Sequence, residues 1–309
     1  LIGFIKANYL SYGTQKIGDK VIFDKLENPS DLLIKTPKTV IPFKRILWPN
    51  KAEVDSLKAK REDSKKFAFI GLTNCDARAL DIFLKEYEDF DLLPKREDIL
   101  IVSTECKSDE NCFCTAFGFG KIEIYDLHIQ TDKDGFAVFA KTAIGRKILK
   151  EVGIKETLKK PELREIKLPE IDRFHSKEEL SKAINEKQAG LDFWTKVANN
   201  CFACGACTAT CPLCFCTRQD FSNQADGSAK LCLNWDTCFS KSFSEIAYHL
   251  DFRPENVDRL YNWYHHKFVR AYHKKKHFLC SGCGRCIKAC PANLNQYRII
   301  STIYKKFKH

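Results

Sequence analysis

No methionine occurs in the 309 residues, position 1 included, so the natural chain is expected to start upstream of Leu1. The lack of a secretory leader therefore carries little weight. Long apolar runs are also missing. Phe67–Leu72 and residues 99–102 are typical of those present, far below the roughly 18 residues that a membrane span needs. That excludes a transmembrane helix. No G-x-G-x-x-G follows a strand, Gly118-Phe-Gly120 being too short for one, and no Gly-x4-Gly-Lys-Ser/Thr loop occurs. The usual phosphate-cradling loops for dinucleotides and nucleotides are thus absent. Adjacent Cys-Cys pairs, used by clusters that cleave disulfides, are missing as well.

Cysteine, by contrast, is abundant. Sixteen are present, with 44% hydrophobic and 29% charged residues overall, a balance that rules out disorder and fibres. The length suggests about two domains. The net charge of +11 is concentrated in the C-terminal half, in runs such as His273-Lys-Lys-Lys-His277 and Tyr304-Lys-Lys-Phe-Lys-His309. Such runs attract nucleic acid, anionic membrane surfaces or acidic proteins, and most often simply solvate a face.

The first part alternates strand and helix. Residues 21–23 and 39–43 are short strand candidates, and Phe67–Leu72 has the length of a buried strand. In 76–90, Leu80, Phe83, Leu84 and Tyr87 form an amphipathic stripe, and 98–103 reads as another buried strand. Strand, helix and strand predict a parallel crossover with Cys75 and Cys106 just beyond the strand ends. Residues 121–129 and 136–140, around Asp132-Lys-Asp-Gly135, predict a hairpin. Residues 155–175, rich in Lys, Glu and Pro, read as a linker. Beyond them 176–198 predicts one helix, or two broken near Gly190, and Pro254 opens another. The expected class is α+β: a small mixed-sheet domain over 1–165, then an all-helical domain over 166–309.

The chemistry is carried by two runs. Cys201-x2-Cys204-x2-Cys207-x3-Cys211-Pro212 recurs without deviation as Cys280-x2-Cys283-x2-Cys286-x3-Cys290-Pro291. Three thiolates of one tight loop reach three irons of a cube, while the fourth cysteine points at the other cluster. One [4Fe-4S] cluster is therefore assigned to Cys201, Cys204, Cys207 and Cys290, the other to Cys280, Cys283, Cys286 and Cys211. Gly205, Gly282 and Gly284 would let the loops wrap the cubes and present amides to them. Structural zinc uses paired knuckles on one ion, leaving a surplus thiol in each run, and disulfides between such near neighbours have poor geometry. Clusters argue for a reducing, cytoplasmic, anaerobic setting. Arg285 and Lys288 would stabilise the reduced state of the second cluster.

Cys75, Cys106, Cys112 and Cys114 are the four cysteines of the first part, the number a third cubane needs, with Cys112-Phe-Cys114 expected to be extended and to show both thiols on one face. The plainer reading is buried thiols. Cys214, Cys216, Cys232 and Cys238 repeat some of these intervals and leave the same two readings open, a fourth cluster or packing. His265, His266, His273 and His277 have no metal-site spacing and read as surface or packing residues. Clusters without an organic cofactor site describe a one-electron relay with no catalytic residue of its own. The competing readings are a zinc-bearing nucleic-acid-binding protein and a free-standing iron–sulfur reductase; the relay predicts no nucleic-acid partner.

The residues also resemble a known family. Phe69-Ile-Gly-Leu-Thr-Asn-Cys75-Asp76, Glu105-Cys106-x5-Cys112-Phe-Cys114, the run from Cys201 to Cys216, Trp235-Asp-Thr-Cys238, Phe252-Arg253-Pro254, His266-Lys267-Phe268 and the run from Cys280 to Pro291 are similar to the beta subunit of sulfhydrogenases and to the related multicluster electron-transfer subunit of anaerobic sulfite reductases. The resemblance implies an electron-transfer subunit between a flavin subunit that handles NAD(P)H, or a ferredoxin-linked donor, and a catalytic subunit with nickel–iron or sirohaem. The chain departs from that pattern at Ile246-Ala-Tyr-His249, in place of a glycine-rich stretch, and at Cys232.

Overall fold

The computed structural model describes residues 1–48, 51–53, 66–90, 93–133, 135–157, 161, 171–185 and 190–308. Its strands are β1 (Leu10–Ile17), β2 (Lys20–Lys25), β3 (Lys35–Thr36), β4 (Lys51–Glu53), β5 (Phe67–Leu72), β6 (Ile99–Cys106), β7 (Leu127–Asp132), β8 (Gly135–Ala140), β9 (Thr217–Asn223) and β10 (Ala229–Trp235). Seven of them form one mixed sheet in the order β2-β1-β5-β6-β7-β8, with β3 against the end of β6. β1, β5, β6 and β7 run parallel, and hairpins close both edges.

The crossover predicted from the apolar pattern is present. β5 leads through the helix Asn74–Glu86 to β6, with β5 and β6 paired in parallel. Both strands read as continuous apolar runs because both faces of the sheet are covered. Phe69, Ile99 and Ile101 point to a core shared with Leu80 and Phe83 of that helix. Ala68, Ile70, Leu100 and Val102 point to the opposite core with Ile5 and Ile148, the alternation a pleat imposes. Thr73 caps the helix by accepting from the Asp76 amide, so Cys75 and Asp76 sit in its first turn.

Residues 39–43 form no strand; the backbone there carries Pro42, and the Thr39 carbonyl is taken by the Arg285 guanidinium. Residues 176–198 divide into the helices Lys177–Asn185 and Gly190–Ala198. Most of the expected linker, 158–160 and 162–170, and with it position 165, lies outside the described residues, as does His309. Phe174, within the described end of that segment, is buried and donates its amide to the Ala116 carbonyl at 2.8 Å.

The second part is not all-helical. Between the two cysteine runs β9 and β10 form an antiparallel hairpin, and β4 adds to it as a third strand. Asp226-Gly227 makes the turn, with Asp226 accepting from the Ser228 amide and hydroxyl. An Asp-Gly pair between Thr217–Asn223 and Ala229–Trp235 is a hairpin signal. It is faint here because β9 is polar on both sides and largely exposed. Apolar packing also joins residues from both sides of position 165: Phe113 and Phe117 pack with Leu180, Trp194, Tyr264 and Ile300, while Phe83 stacks on Phe215 with ring centroids 4.3 Å apart.

Candidate metal centres

The two cysteine runs fold alike. In each, a glycine in left-handed conformation, Gly205 or Gly284, starts a four-residue helix, Ala206–Ala209 or Arg285–Lys288, that carries the third cysteine. Backbone amides then point at sulfur. Ala203, Leu213, Gly282 and Leu294 donate to the Sγ atoms of Cys201, Cys211, Cys280 and Cys290, each at 3.4 Å. Hydrogen bonds of this kind stabilise cluster-bound thiolates. Asn256 fixes the entry to the first run by donating to the Ala198 and Cys201 carbonyls at 3.0 and 2.8 Å.

Cys201, Cys204, Cys207 and Cys290 line one cavity, roofed by Phe239, Leu260 and Trp263. Three thiols of the first run and the last thiol of the second therefore meet, the crossed set expected from spacing. In the second run, burial and the Cys283, Cys280, Cys211 and Cys207 thiols together push Cys286 up, so Cys211 lies near the second run. Burial likewise pushes Cys207 and Cys280 up to about 12. Each must lose its proton to ligate a metal.

Cys75, Cys106, Cys112 and Cys114 also converge. Burial, Asp76 and the Cys106 and Cys283 thiols raise Cys75; burial with Cys112 and Cys114 pushes Cys106 up to about 12. The segment is not extended as expected, since Phe113 has φ −140 and ψ 27 and Cys114 opens a 3-10 turn. The reason is contact with the second run: the Phe113 amide donates to the Gly282 carbonyl at 2.8 Å. A Cβ on Gly282 would lie 2.5 Å from the Cys114 Cα, and one on Gly284 2.1 Å from the Asn111 carbonyl oxygen. These glycines are thus required by close packing against the loop of residues 109–114, rather than only by the wrapping of a cube. Gly284→Ala adds a left-handed side chain to a backbone clash, and is expected to destabilise by about 2 kcal/mol or more. Urea unfolding under anaerobic conditions checks this.

Cys214, Cys216 and Cys238 line a second cavity, walled by Phe215, Trp263 and Lys267. Cys232 is not in its lining; it is buried in β10 opposite Asp220 of β9. Among the described residues, no three His, Cys, Asp or Glu side chains converge closely enough for one metal ion. Thiols set around a larger inorganic core fit the cluster reading better than a zinc reading, in which all four donors sit about 2.0–2.3 Å from one ion.

Four buried cations, two of them outside every motif of the sequence, surround these groups. Lys38 donates to Asp109 at 2.9 Å and to the Cys112 sulfur at 3.1 Å; against the effect of burial, Cys112 and Asp109 hold its ammonium above the usual range. Arg285 makes a two-pronged pair with Asp76 at 2.6 and 2.8 Å. Lys44 donates to the Thr208 and Cys214 carbonyls at 3.1 and 2.9 Å and lies 4.3 Å from the Trp235 ring centroid; burial lowers it. Lys267, on the π-helical turn His265–Arg270, donates to the Cys211 sulfur at 3.3 Å and the Leu279 carbonyl at 2.9 Å. Of the histidines, His277 lies 3.5 Å from Glu86, while His266 borders the second cavity.

Residues 200–294 match the family model of the 4Fe-4S dicluster domain. Both cysteine runs lie within the matched residues. Across its length the chain is similar to the sulfhydrogenase 2 subunit beta of Pyrococcus furiosus, 26% identical over 307 residues, which cover 94% of this chain and 91% of the relative. The resemblance carried by the cysteine motifs and this relative agree. No solved structure matches the chain. Among the described residues no helix is long and apolar enough to cross a membrane.

Proposed function

We propose that the chain is an electron-transfer subunit of an oxidoreductase complex, relaying single electrons through [4Fe-4S] clusters between a flavin/NAD(P)H or ferredoxin-linked partner and a catalytic subunit of hydrogenase or sulfite reductase type. The observation that carries this reading is the cavity in which Cys201, Cys204 and Cys207 meet Cys290. One cluster would be held by that set, a second by Cys280, Cys283, Cys286 and Cys211, and a third by Cys75, Cys106, Cys112 and Cys114. When bound, such clusters supply reversible one-electron chemistry. The chain's own residues orient the sulfurs with backbone amides, exclude water with aromatic walls and place buried cations beside the anionic sites.

The three groups would lie near one another, since the Cys283 thiol is among the neighbours that raise Cys75 and Cys114 and Cys207 is among those that raise Cys286. Cys204 is exposed, and Phe202 beside it is 69% exposed, an arrangement that gives a partner protein access to the first cluster. In this reading residues 1–165 with the third group face one partner, residues 166–309 lead to the other, and the complex works in the cytoplasm without nucleic acid.

Gentle anaerobic isolation tests the reading. The chain is expected to copurify with other subunits in a complex larger than 35.6 kDa, with at least about eight iron and eight sulfide per chain, and about twelve of each with the third group filled. Nickel, sirohaem or flavin in the partner subunits names the reaction. Zinc with little sulfide would return the zinc-bearing alternative, and a stable lone chain reducing a small substrate would return the free-standing reductase.

A further inference from the structure

We propose that Cys214, Cys216 and Cys238 hold a further [4Fe-4S] cluster through three thiolates, with His266 rather than a fourth cysteine as its remaining protein ligand. The proposal rests on the iron–sulfur reading above and extends it to a site outside the crossed sets. Its first support is that these three thiols line one common cavity of about 150 Å3.

The second support is how the thiols are brought there. Cys214 and Cys216 follow Cys211 in a tight segment, and the Asp236 amide donates to the Cys216 carbonyl at 2.8 Å. That bond fastens the end of β10 to the segment and delivers Cys238 beside Cys216, close enough for the two thiols to hydrogen-bond. Cys232 faces another environment, so the four cysteines of this region do not form one set.

Charge supplies the third. The walls are strongly apolar, with Phe83, Leu213, Phe215 and Trp263 among them, yet Lys267 lines the cavity and Lys44 grips the Cys214 carbonyl from behind. The hydrogen-bond partners of both ammonium groups are carbonyl oxygens and one sulfur, with aromatic faces nearby. Lys267 thereby meets Cys211, a thiol of the second set, whereas Lys44 meets carbonyl oxygens alone. A buried cation without an anion is costly, by several kcal/mol, and a cubane ligated by three thiolates carries net negative charge and would match it. A single zinc ion requires four donors within about 2.0–2.3 Å of one point, and no such convergence exists among the described residues. His266 is the imidazole in the cavity wall; the other protonatable non-thiol donors there are Glu86, which faces His277, Tyr87 and Lys267.

The test is metal analysis with Mössbauer and low-temperature EPR spectroscopy on the anaerobic complex. Wild-type protein is expected to contain about twelve iron and twelve sulfide per chain, and about sixteen of each with the Cys75 group filled. Cys216→Ser and Cys238→Ser should each lose about four of both while the dicluster signals persist, and Cys232→Ser should lose none. His266→Ala should keep the iron and change the signature of one cluster; an unchanged spectrum would overturn the histidine's role. Iron content unaffected by both serine variants would overturn the site while leaving the dicluster reading intact. One zinc per chain, lost from both serine variants while the iron stays, would do the same. A wild-type chain without iron and sulfide would overturn the dicluster reading along with this one.

Discussion

Anaerobically prepared Cys290→Ser protein is expected to lose the cluster held by Cys201, Cys204 and Cys207, and Cys211→Ser the cluster held by Cys280, Cys283 and Cys286. Each variant should lack about four iron and four sulfide relative to the wild type. Crossed ligation places the loss on the far run, since it takes the fourth thiol of each run away from its own loop. Cys290 lines the cavity of the first run beside Pro291 and Leu294, and Cys211 lies close enough to the Cys280 and Cys286 thiols to raise both. Spectra that separate the two clusters in the wild type will show which one disappears. A variant that disturbs only the cluster of its own run would show that the crossing is wrong and that each run closes on itself.

Much of this site was legible in the residues because cluster ligation depends on spacing along the chain. Two runs of identical spacing, with their glycines and trailing prolines, define local loops, and the reach of three thiolates around one cube predicts the crossing. The unit β5, helix and β6 was legible for a similar reason: its apolar periodicity is local and unbroken. What escaped was set by partners far apart in sequence. Lys38 and Lys44 look like surface charges, the ordinary state of lysine. Lys38 instead meets the Cys283 carbonyl, 245 residues away. The hairpin of β9 and β10 escaped because polar residues cover both faces of β9, leaving only its Asp-Gly turn as a signal. The departure at Ile246-Ala-Tyr-His249 has a visible backbone consequence. Tyr248 and His249 have φ of 61 and 58, a region that glycine occupies without steric cost.

Arg285 illustrates how tertiary pairing changes the meaning of a charge. From its place in the second run it was expected to add positive potential to that cluster, together with Lys288. Its guanidinium is instead matched by the Asp76 carboxylate, with both side chains about one-twentieth exposed, and Lys288 is exposed and lies 3.9 Å from Asp109. The net cationic field near the cysteines therefore comes from Lys44 and Lys267, whose hydrogen-bond partners are carbonyl oxygens and a sulfur.

Arg285→Leu is accordingly expected to cost about 3–5 kcal/mol of stability, the penalty for leaving one member of a buried ion pair uncompensated. The stranded group is the carboxylate of Asp76, next to Cys75, so the damage should spread from the second run to the Cys75 group and lower its iron content. Arg285→Lys keeps the charge without the two-pronged geometry and should fall between. The double variant Asp76→Asn with Arg285→Leu removes both charges and should be less destabilised than the sum of the single changes, because part of each single cost is the orphaned partner. Urea unfolding of the anaerobic protein, read beside iron content, measures both effects. A single variant within about 0.5 kcal/mol of the wild type, the range of ordinary surface substitutions, would show that this pair does not join the second run to the helix Asn74–Glu86.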